Sequence, residues 1–331
     1  MTILITGSAG YIGSFLVRRF LREPKVSSVI GIDLLPPPPD RIPNTPPKGK
    51  LSWIVHDLAK DGWQDQVKKH GLMDVVVHSA FKIRNPFGQI QATEKNNLEA
   101  SYNVFEFCFK NNISKLIYFS SVAAYSARPE NIGRLLTESD ELKERTSPYG
   151  SQKRKVEGLL EGFLWEERPA TEGIVMRLGS ITGPYGQRIA SKFSLINFLT
   201  KILPFVVEAH PAWARQFTHE TDLEQAVVTL AMRPPKPRTY TIYNFAPQQF
   251  LTARDIARIL KKPVLRIPPW LVRITFWITW HLGFGILPTP SGSASSLIYP
   301  INVDGSKIGK EAGFSYRFRG EDALLARSTT P

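Results

Sequence analysis

Tyr149 and Lys153 lie four residues apart in the stretch Ser147-Pro148-Tyr149-Gly150-Ser151-Gln152-Lys153. On a helix they stand one above the other on a single face, and Pro148 is a residue that opens helices well. A free phenol, with a pKa of about 10, is a poor base at neutral pH. A positive charge beside it favours the phenolate. Lowering Tyr149 by ~2–3 pH units takes roughly 3–4 kcal/mol of differential stabilisation. Such a phenol could exchange a proton with an alcohol or ketone while a hydride leaves or arrives. The spacing alone recurs by chance on ordinary protein surfaces, so its meaning depends on the elements that position it.

Those elements start at the first residues. Thr2 to Ile5 reads as a short apolar strand that runs into Thr6-Gly7-Ser8-Ala9-Gly10-Tyr11-Ile12-Gly13 and then a helical run from Ser14 to Arg22. Strand, three glycines spaced by three and helix form a turn that a pyrophosphate can approach closely, with helix amides and dipole favouring its charge. Gly7, Gly10, Tyr11, Ile12 and Gly13 are therefore candidate cofactor contacts. A second strand, Ser28 to Asp33, ends in an acid twenty residues past Gly13, where a carboxylate accepts hydrogen bonds from an adenosine ribose. Asp33 would repel a 2′-phosphate and no Arg follows it directly, which favours NAD over NADP.

Residues 36–49 hold seven prolines and read as an exposed extended loop. Leu51 to His56 is a third strand, followed by Asp57-Leu58, which could cap an adenine amine. The fourth strand, around Val75-Val76-Val77, leads through His78 into Ser79 and Ala80, small enough to let a cofactor lie against the backbone. His78 reads as a packed, hydrogen-bonded structural residue. A helix over 92–112 carries Asn97, and the fifth strand, Leu116 to Phe119, brings Ser121 to a strand's carboxyl end. A polar loop over 126–146, the Tyr149 helix to about Trp165 and a sixth strand at Gly173 to Arg177 follow. This alternation predicts an α/β fold with a doubly wound parallel sheet, whose ligands sit at the carboxyl ends of strands. Beyond about 185 basic and aromatic residues mix with prolines. Arg215-Gln216-Phe217-Thr218-His219 then precedes a helix, Asp222 to Met232, and a strand, Thr239 to Asn244.

Composition sets bounds. The chain has 331 residues, 42% hydrophobic and 21% charged, as in ordinary globular proteins, but its net charge is +13. That surplus suits anionic partners: phosphorylated substrates, nucleic acid or an anionic membrane. The bases are scattered, so no nucleic-acid tract is expected. Cys108 is the one cysteine, which excludes an intramolecular disulfide and a thiolate metal cluster. No metal site is expected. The strand at residue 2 leaves no signal peptide, and a reducing cytoplasm is the expected location.

Taken together, the motifs from Thr2 to about Leu260 resemble the extended short-chain dehydrogenase/reductase family, which includes NAD-dependent nucleotide-sugar epimerases and dehydratases. The resemblance rests on Thr6 to Gly13, Asp33, Asp57, Asn97, Ser121, Tyr149 with Lys153, and Arg215 to Asp222, in family order and at family-like spacing. It implies a Rossmann-type domain binding NAD and a catalytic tetrad. Tyr149 would transfer the proton, and Lys153 would hold the nicotinamide ribose and lower the phenol pKa. Ser121 would hydrogen-bond the reacting oxygen, and Asn97 would support the lysine through water. Arg215 would contact a substrate phosphate. Two departures stand out. Ser180 occupies a position where nucleotide-sugar enzymes often carry Asn, and Val122-Ala123 occupies that of an Asp-Glu pair in sugar 4,6-dehydratases. The second departure disfavours dehydration and leaves epimerisation or simple oxidation and reduction. The alternatives are a hydroxysteroid-dehydrogenase-like enzyme on an apolar alcohol and a non-catalytic NAD-binding subunit.

The expected organisation is a Rossmann domain over 1–179, to which 222–246 returns, and a smaller interwoven substrate domain from 180–221 and 247–331. In the latter, Trp270 to Leu287 is an 18-residue apolar run interrupted only by Arg273 and His281. It reads as a lid or interface helix over the substrate pocket, a helix resting on a membrane surface, or a short span. Ser291 to Ser296 reads as a flexible polar segment, and the last dozen residues are expected to fray. The resemblance further suggests a homodimer through the helices at 92–112 and 148–165.

Overall fold

The computed structural model describes residues 1–42, 47, 49–167, 170–189, 194–285 and 289–328. Six strands and four helices build the first half: β1 (Thr2–Thr6), α1 (Tyr11–Arg22), β2 (Ser28–Asp33), β3 (Leu51–Val55), α2 (Trp63–Lys68), β4 (Val75–His78), α3 (Ile90–Lys110), β5 (Lys115–Ser121), α4 (Pro148–Glu167) and β6 (Glu172–Leu178). They form one sheet in the order β3, β2, β1, β4, β5, β6, closed at the far edge by Tyr240–Phe245. Every neighbouring pair is parallel. Strand order reverses between β1 and β4, where Thr6 pairs with both Ile32 and His78. This is the crevice where doubly wound sheets bind ligands. The sequence-predicted α/β class and parallel sheet are therefore observed.

Alternation along the strands explains why both faces are covered. Ile3, Ile5, Val75, Val77, Ile117 and Phe119 point to one side, against Leu16, Val17 and Phe20 of α1 and Leu223, Val227 and Leu230 of helix Glu220–Met232. Leu4, Val76, Leu116 and Tyr118 point to the other, against Val104, Phe105 and Cys108 of α3 and Val156 and Leu160 of α4. Burial pushes the Cys108 thiol pKa up and leaves it an inert packing group.

Three two-stranded pieces complete the molecule. Phe217–His219 pairs with Ser180–Thr182, Ala214–Arg215 with Leu251–Thr252, and Val206–Glu208 with Val264–Arg266. Trp213, Phe217, Leu251, Ile256 and Leu324 form their shared core.

The tail differs from its sequence reading. Pro269–Trp277 is a helix continued by Ile278–Leu282 in a wider turn; residues 286 and 287 of the expected run lie outside the described residues. Among the described residues no helix is long and apolar enough to cross a membrane. Ser291 to Ser296, expected as flexible, lie in a 3₁₀ helix, Ser291–Leu297, that packs on the loop before Tyr149. A Cβ at Gly292 would lie 2.0 Å from the Thr146 carbonyl oxygen, so only glycine allows that approach. The chain end is also tied down as far as Arg327: Leu324 is fully buried, Arg327 pairs with Asp322, and its carbonyl lies 2.9 Å from His219 Nε2.

Candidate active site

The glycine turn after β1 is shaped for close approach. Gly7 has φ +67, and a Cβ there would lie 2.6 Å from Ala80 Cα; one at Gly13 would lie 2.1 Å from the Gly7 carbonyl oxygen. Side chains at either position would push the turn away from β4 or break it. Gly10 caps α1 without any side-chain hydrogen bond, and the first turn, which holds Tyr11 and Ile12, carries no acid. Its amides are thus available to a pyrophosphate. Asp33 at the end of β2 accepts from the amides of Ala9 at 2.9 Å and Leu35 at 3.1 Å. A carboxylate has about four lone pairs, so it retains capacity for ribose hydroxyls. Asp57 accepts from Ala59 N at 3.0 Å beside buried Leu58, and Ser79 Oγ donates to the Thr6 carbonyl at 2.6 Å. The turn fits a dinucleotide.

His78 is structural in its contacts. It is fully buried, with Nδ1 2.8 Å from Thr6 Oγ1 and Nε2 3.1 Å from Ser101 Oγ. Burial, reinforced by the charge of Lys153, lowers its pKa to about 3. The Tyr11 hydroxyl donates to Glu220 Oε2 at 2.6 Å, and the same carboxylate accepts from the amides of Tyr185 and Gly186 at 2.8 Å each. Sequence reasoning missed Glu220, which ties α1 to the segment that follows β6.

Ser121 ends β5, and Tyr149 lies in the first turn of α4. Glu144 accepts from the amides of Thr146 and Ser147 at 2.7 and 2.9 Å just ahead of α4, and so fixes its start. Two turns beyond Tyr149, Glu157 is clamped by Arg177 of β6 at 2.8 Å, which anchors the helix to the sheet. Tyr149 and Ser121 line the same cavity; burial raises the phenol pKa and the neighbouring Ser121 hydroxyl partly offsets it.

Lys153 is buried, one turn along α4 from Tyr149. Nζ donates to the Phe119 carbonyl at 2.6 Å and sits 3.6 Å from the centre of the Phe81 ring. Phe81 also meets Tyr149 edge to face at 5.9 Å, so its ring touches both members of the pair. Burial lowers the lysine pKa to about 7, partly countered by Glu157. Burial is thus the largest influence on both groups, raising the phenol pKa and lowering that of the lysine.

Asn97 holds the segment that follows β4. Its Oδ1 accepts from Lys82 N at 2.9 Å, and Nδ2 donates to the Lys82 carbonyl at 3.1 Å and to Gln152 Oε1 at 2.9 Å. Gln152 Nε2 in turn donates to Asn85 Oδ1 at 3.0 Å. The segment carrying Phe81 and Arg84 is fixed in this way to α4.

A cavity of about 610 Å³ joins these parts, lined by Tyr11, Ser121, Tyr149, Ser180 and Arg215 among others. Asn97 and Lys153 are not among its lining residues. No residue of 269–285 lines it; that helix packs instead through Val272 on Ala294 and Ile298, next to the 3₁₀ helix that supplies Ser293 and Ser296 to the wall. Arg215 donates to Ser180 Oγ at 3.2 Å and to the Ser296 carbonyl at 3.3 Å, with the Trp213 ring at 5.8 Å. It has no carboxylate partner among the described residues, and burial lowers its pKa to about 10. Arg84, which sequence reasoning passed over, is a second guanidinium on the wall without a partner among the described residues. No Asp or Glu is among the described lining residues. The arrangement offers a hydroxyl pair at one part of a cavity and unneutralised cations at others.

Residues 3–246 match the NAD dependent epimerase/dehydratase family. The chain belongs to that family. Its cofactor is NAD, in keeping with the glycine turn and Asp33. Protein CapI of Staphylococcus aureus is 26% identical over 251 residues, covering 72% of this chain and 71% of that protein. Human dTDP-D-glucose 4,6-dehydratase is 22% identical over 269 residues, covering 78% and 74%. The structure of MoeE5 in complex with UDP-glucuronic acid and NAD superposes with a TM-score of 0.74 at 19% identity, over 98% of this chain and 97% of that one. A 4,6-dehydratase among the relatives removes the expectation, drawn from Val122-Ala123, that this enzyme family member is the less suited to dehydration.

Proposed function

We propose that this enzyme oxidises and re-reduces one carbinol carbon of a nucleotide-sugar, as an epimerase, with Tyr149 as acid and base. One observation carries the reading: the Tyr149 and Ser121 hydroxyls share a cavity with a largely desolvated guanidinium, Arg215, that has no carboxylate partner among the described residues. A buried cation of this kind is costly unless a ligand anion completes it. A nucleoside diphosphate supplies that anion, and its sugar would extend toward Tyr149. Relatives and structural neighbours that act on or bind dTDP-glucose and UDP-glucuronic acid support the choice. Two unneutralised guanidiniums favour such a substrate over an apolar alcohol.

In this reading Ser121 and Tyr149 hold the substrate hydroxyl. NAD, when bound at the glycine turn, would supply the hydride acceptor and donor. Tyr149, as phenolate, takes the hydroxyl proton as the carbon–hydrogen bond breaks, leaving a ketone in the cavity. Tyr149 would restore the proton to oxygen as the carbon is re-reduced from the opposite face, which would give the epimer with no net redox change. The phenolate requires a positive charge near Tyr149 that exceeds its desolvation. Lys153 would provide part of it while holding the nicotinamide ribose. Asn97 keeps the post-β4 segment in place. We further place a homodimer contact on α3 and α4, where exposed Tyr102 borders a groove with Leu98 and Leu159.

Incubation with UDP-, dTDP- and GDP-sugars, with products resolved by NMR, tests the proposal. It expects an epimeric sugar, with turnover abolished in Tyr149→Phe while NAD affinity is kept. Full activity in Tyr149→Phe refutes the role. A 4-keto-6-deoxy product would mean dehydration instead, and stoichiometric NADH a simple dehydrogenase.

A further inference from the structure

The chemistry above makes no use of the apolar helix that begins at Pro269. Its inner face packs through Val272 and Phe276 on Ala294 and Ile298, while Trp280 meets Phe87 at 5.3 Å. Its outer face is apolar too. Trp270, Ile274, Trp277, Ile278 and Leu282 are between 44% and 64% exposed, and Phe284 just beyond is 76% exposed. Phe87, itself exposed, touches Phe284 at 5.8 Å and carries the patch to the loop after β4, where exposed Ile83 lines the cavity. A helix with apolar residues on its solvent side calls for a second apolar partner.

Charge distinguishes the partner. No acidic residue stands between Asp255 and Asp304. Within that stretch Lys261 and Arg273 are exposed and have no carboxylate partner among the described residues, while Arg266 shares Glu208 with Arg254. A two-fold contact with a second copy would bring these like charges together with no acid between them. A lipid surface with anionic headgroups accepts both features: bases at headgroup level and tryptophans at the boundary with the acyl chains. We propose that this face docks on an anionic phospholipid bilayer, with the helix lying in the interface and Trp270, Trp277, Leu282 and Phe284 inserted. Docking would set the rim of the cavity, at Ile83, beside the membrane.

Sedimentation of the full chain, loaded with NAD, with vesicles of phosphatidylcholine alone or with about 30% phosphatidylglycerol tests this. The expected result is binding to the anionic vesicles at least about tenfold tighter than to the neutral ones, weakened by salt, with a blue shift of tryptophan emission. Trp277→Ser combined with Leu282→Ser should lower that binding by about tenfold or more with NAD affinity unchanged. Arg273→Glu, a single exposed change, should weaken only the anionic-vesicle binding. Absence of binding by the unsubstituted chain at low salt overturns the proposal, as does binding that neither variant alters. A stable dimer dispersed by the same substitutions, without vesicle binding, also overturns it and assigns the face to a second copy.

Discussion

Replacing Arg215 by methionine separates a ligand-binding guanidinium from a structural one, because the two readings predict opposite signs. Burial lowers the Arg215 pKa from 12.5 to about 10. That difference corresponds to roughly 3 kcal/mol of unfavourable charge burial, an upper limit because the side chain is partly exposed. Hydrogen bonds to Ser180 and the Ser296 carbonyl return about 1 kcal/mol each. The ligand-free enzyme therefore carries a net burden of about 1 kcal/mol at this residue, and Arg215→Met should raise its thermal midpoint by roughly 1–2 °C. Loss of a buried charge pair with a phosphate costs about 2–5 kcal/mol, so affinity for UDP should fall by roughly 30-fold or more. Thermal denaturation of the ligand-free protein and calorimetric titration with UDP read the two quantities separately. A variant destabilised by more than about 2 kcal/mol that binds UDP as before would refute the reasoning and make Arg215 a structural residue.

Two other perturbations follow from the same geometry. Phe81→Ala removes the ring that covers the Lys153 ammonium at 3.6 Å; since a desolvated cation–π contact is worth about 1–2 kcal/mol, NAD should bind roughly tenfold tighter if that ring must yield to the ribose. Unchanged NAD affinity would remove Phe81 from the cofactor path. His78 is neutral in the fold with a pKa lowered to about 3, so the unfolded chain takes up its proton first as pH falls. Between about pH 7 and pH 5 this should cost roughly 2 kcal/mol of stability, read from urea midpoints at the two pH values. Stability that is flat or rises over that interval would contradict the buried neutral imidazole.

The parts of the molecule governed by local rules were readable in the chain. A strand followed by Gly7, Gly10 and Gly13 has few other uses, and the strand–helix alternation permits few sheets. Tyr149 and Lys153 were visible as a pair because helix spacing fixes i and i+4 neighbours. Their surroundings were not visible, because Phe81 reaches both from the segment after β4 and burial acts on both groups. Arg84 carries no spacing signal; it matters because no carboxylate among the described residues neutralises it. Ser291–Leu297 looked mobile from its small polar residues, yet Gly292 is small so that it can press on the Thr146 carbonyl. The apolar run near 270 showed its composition but not its direction. Only the packing of Val272 inward and Trp277 outward distinguishes a cavity wall from a face awaiting a partner.

The central claim is that one sugar carbon loses and regains its own hydrogen while Tyr149 handles the proton. A nucleotide-sugar deuterated at the reacting carbon, turned over in ordinary water and examined by NMR, tests it most directly. The account predicts an epimeric product that retains the deuterium on that carbon, with no product formed by Tyr149→Phe. Exchange of the label with solvent, or undiminished turnover in that variant, would contradict it.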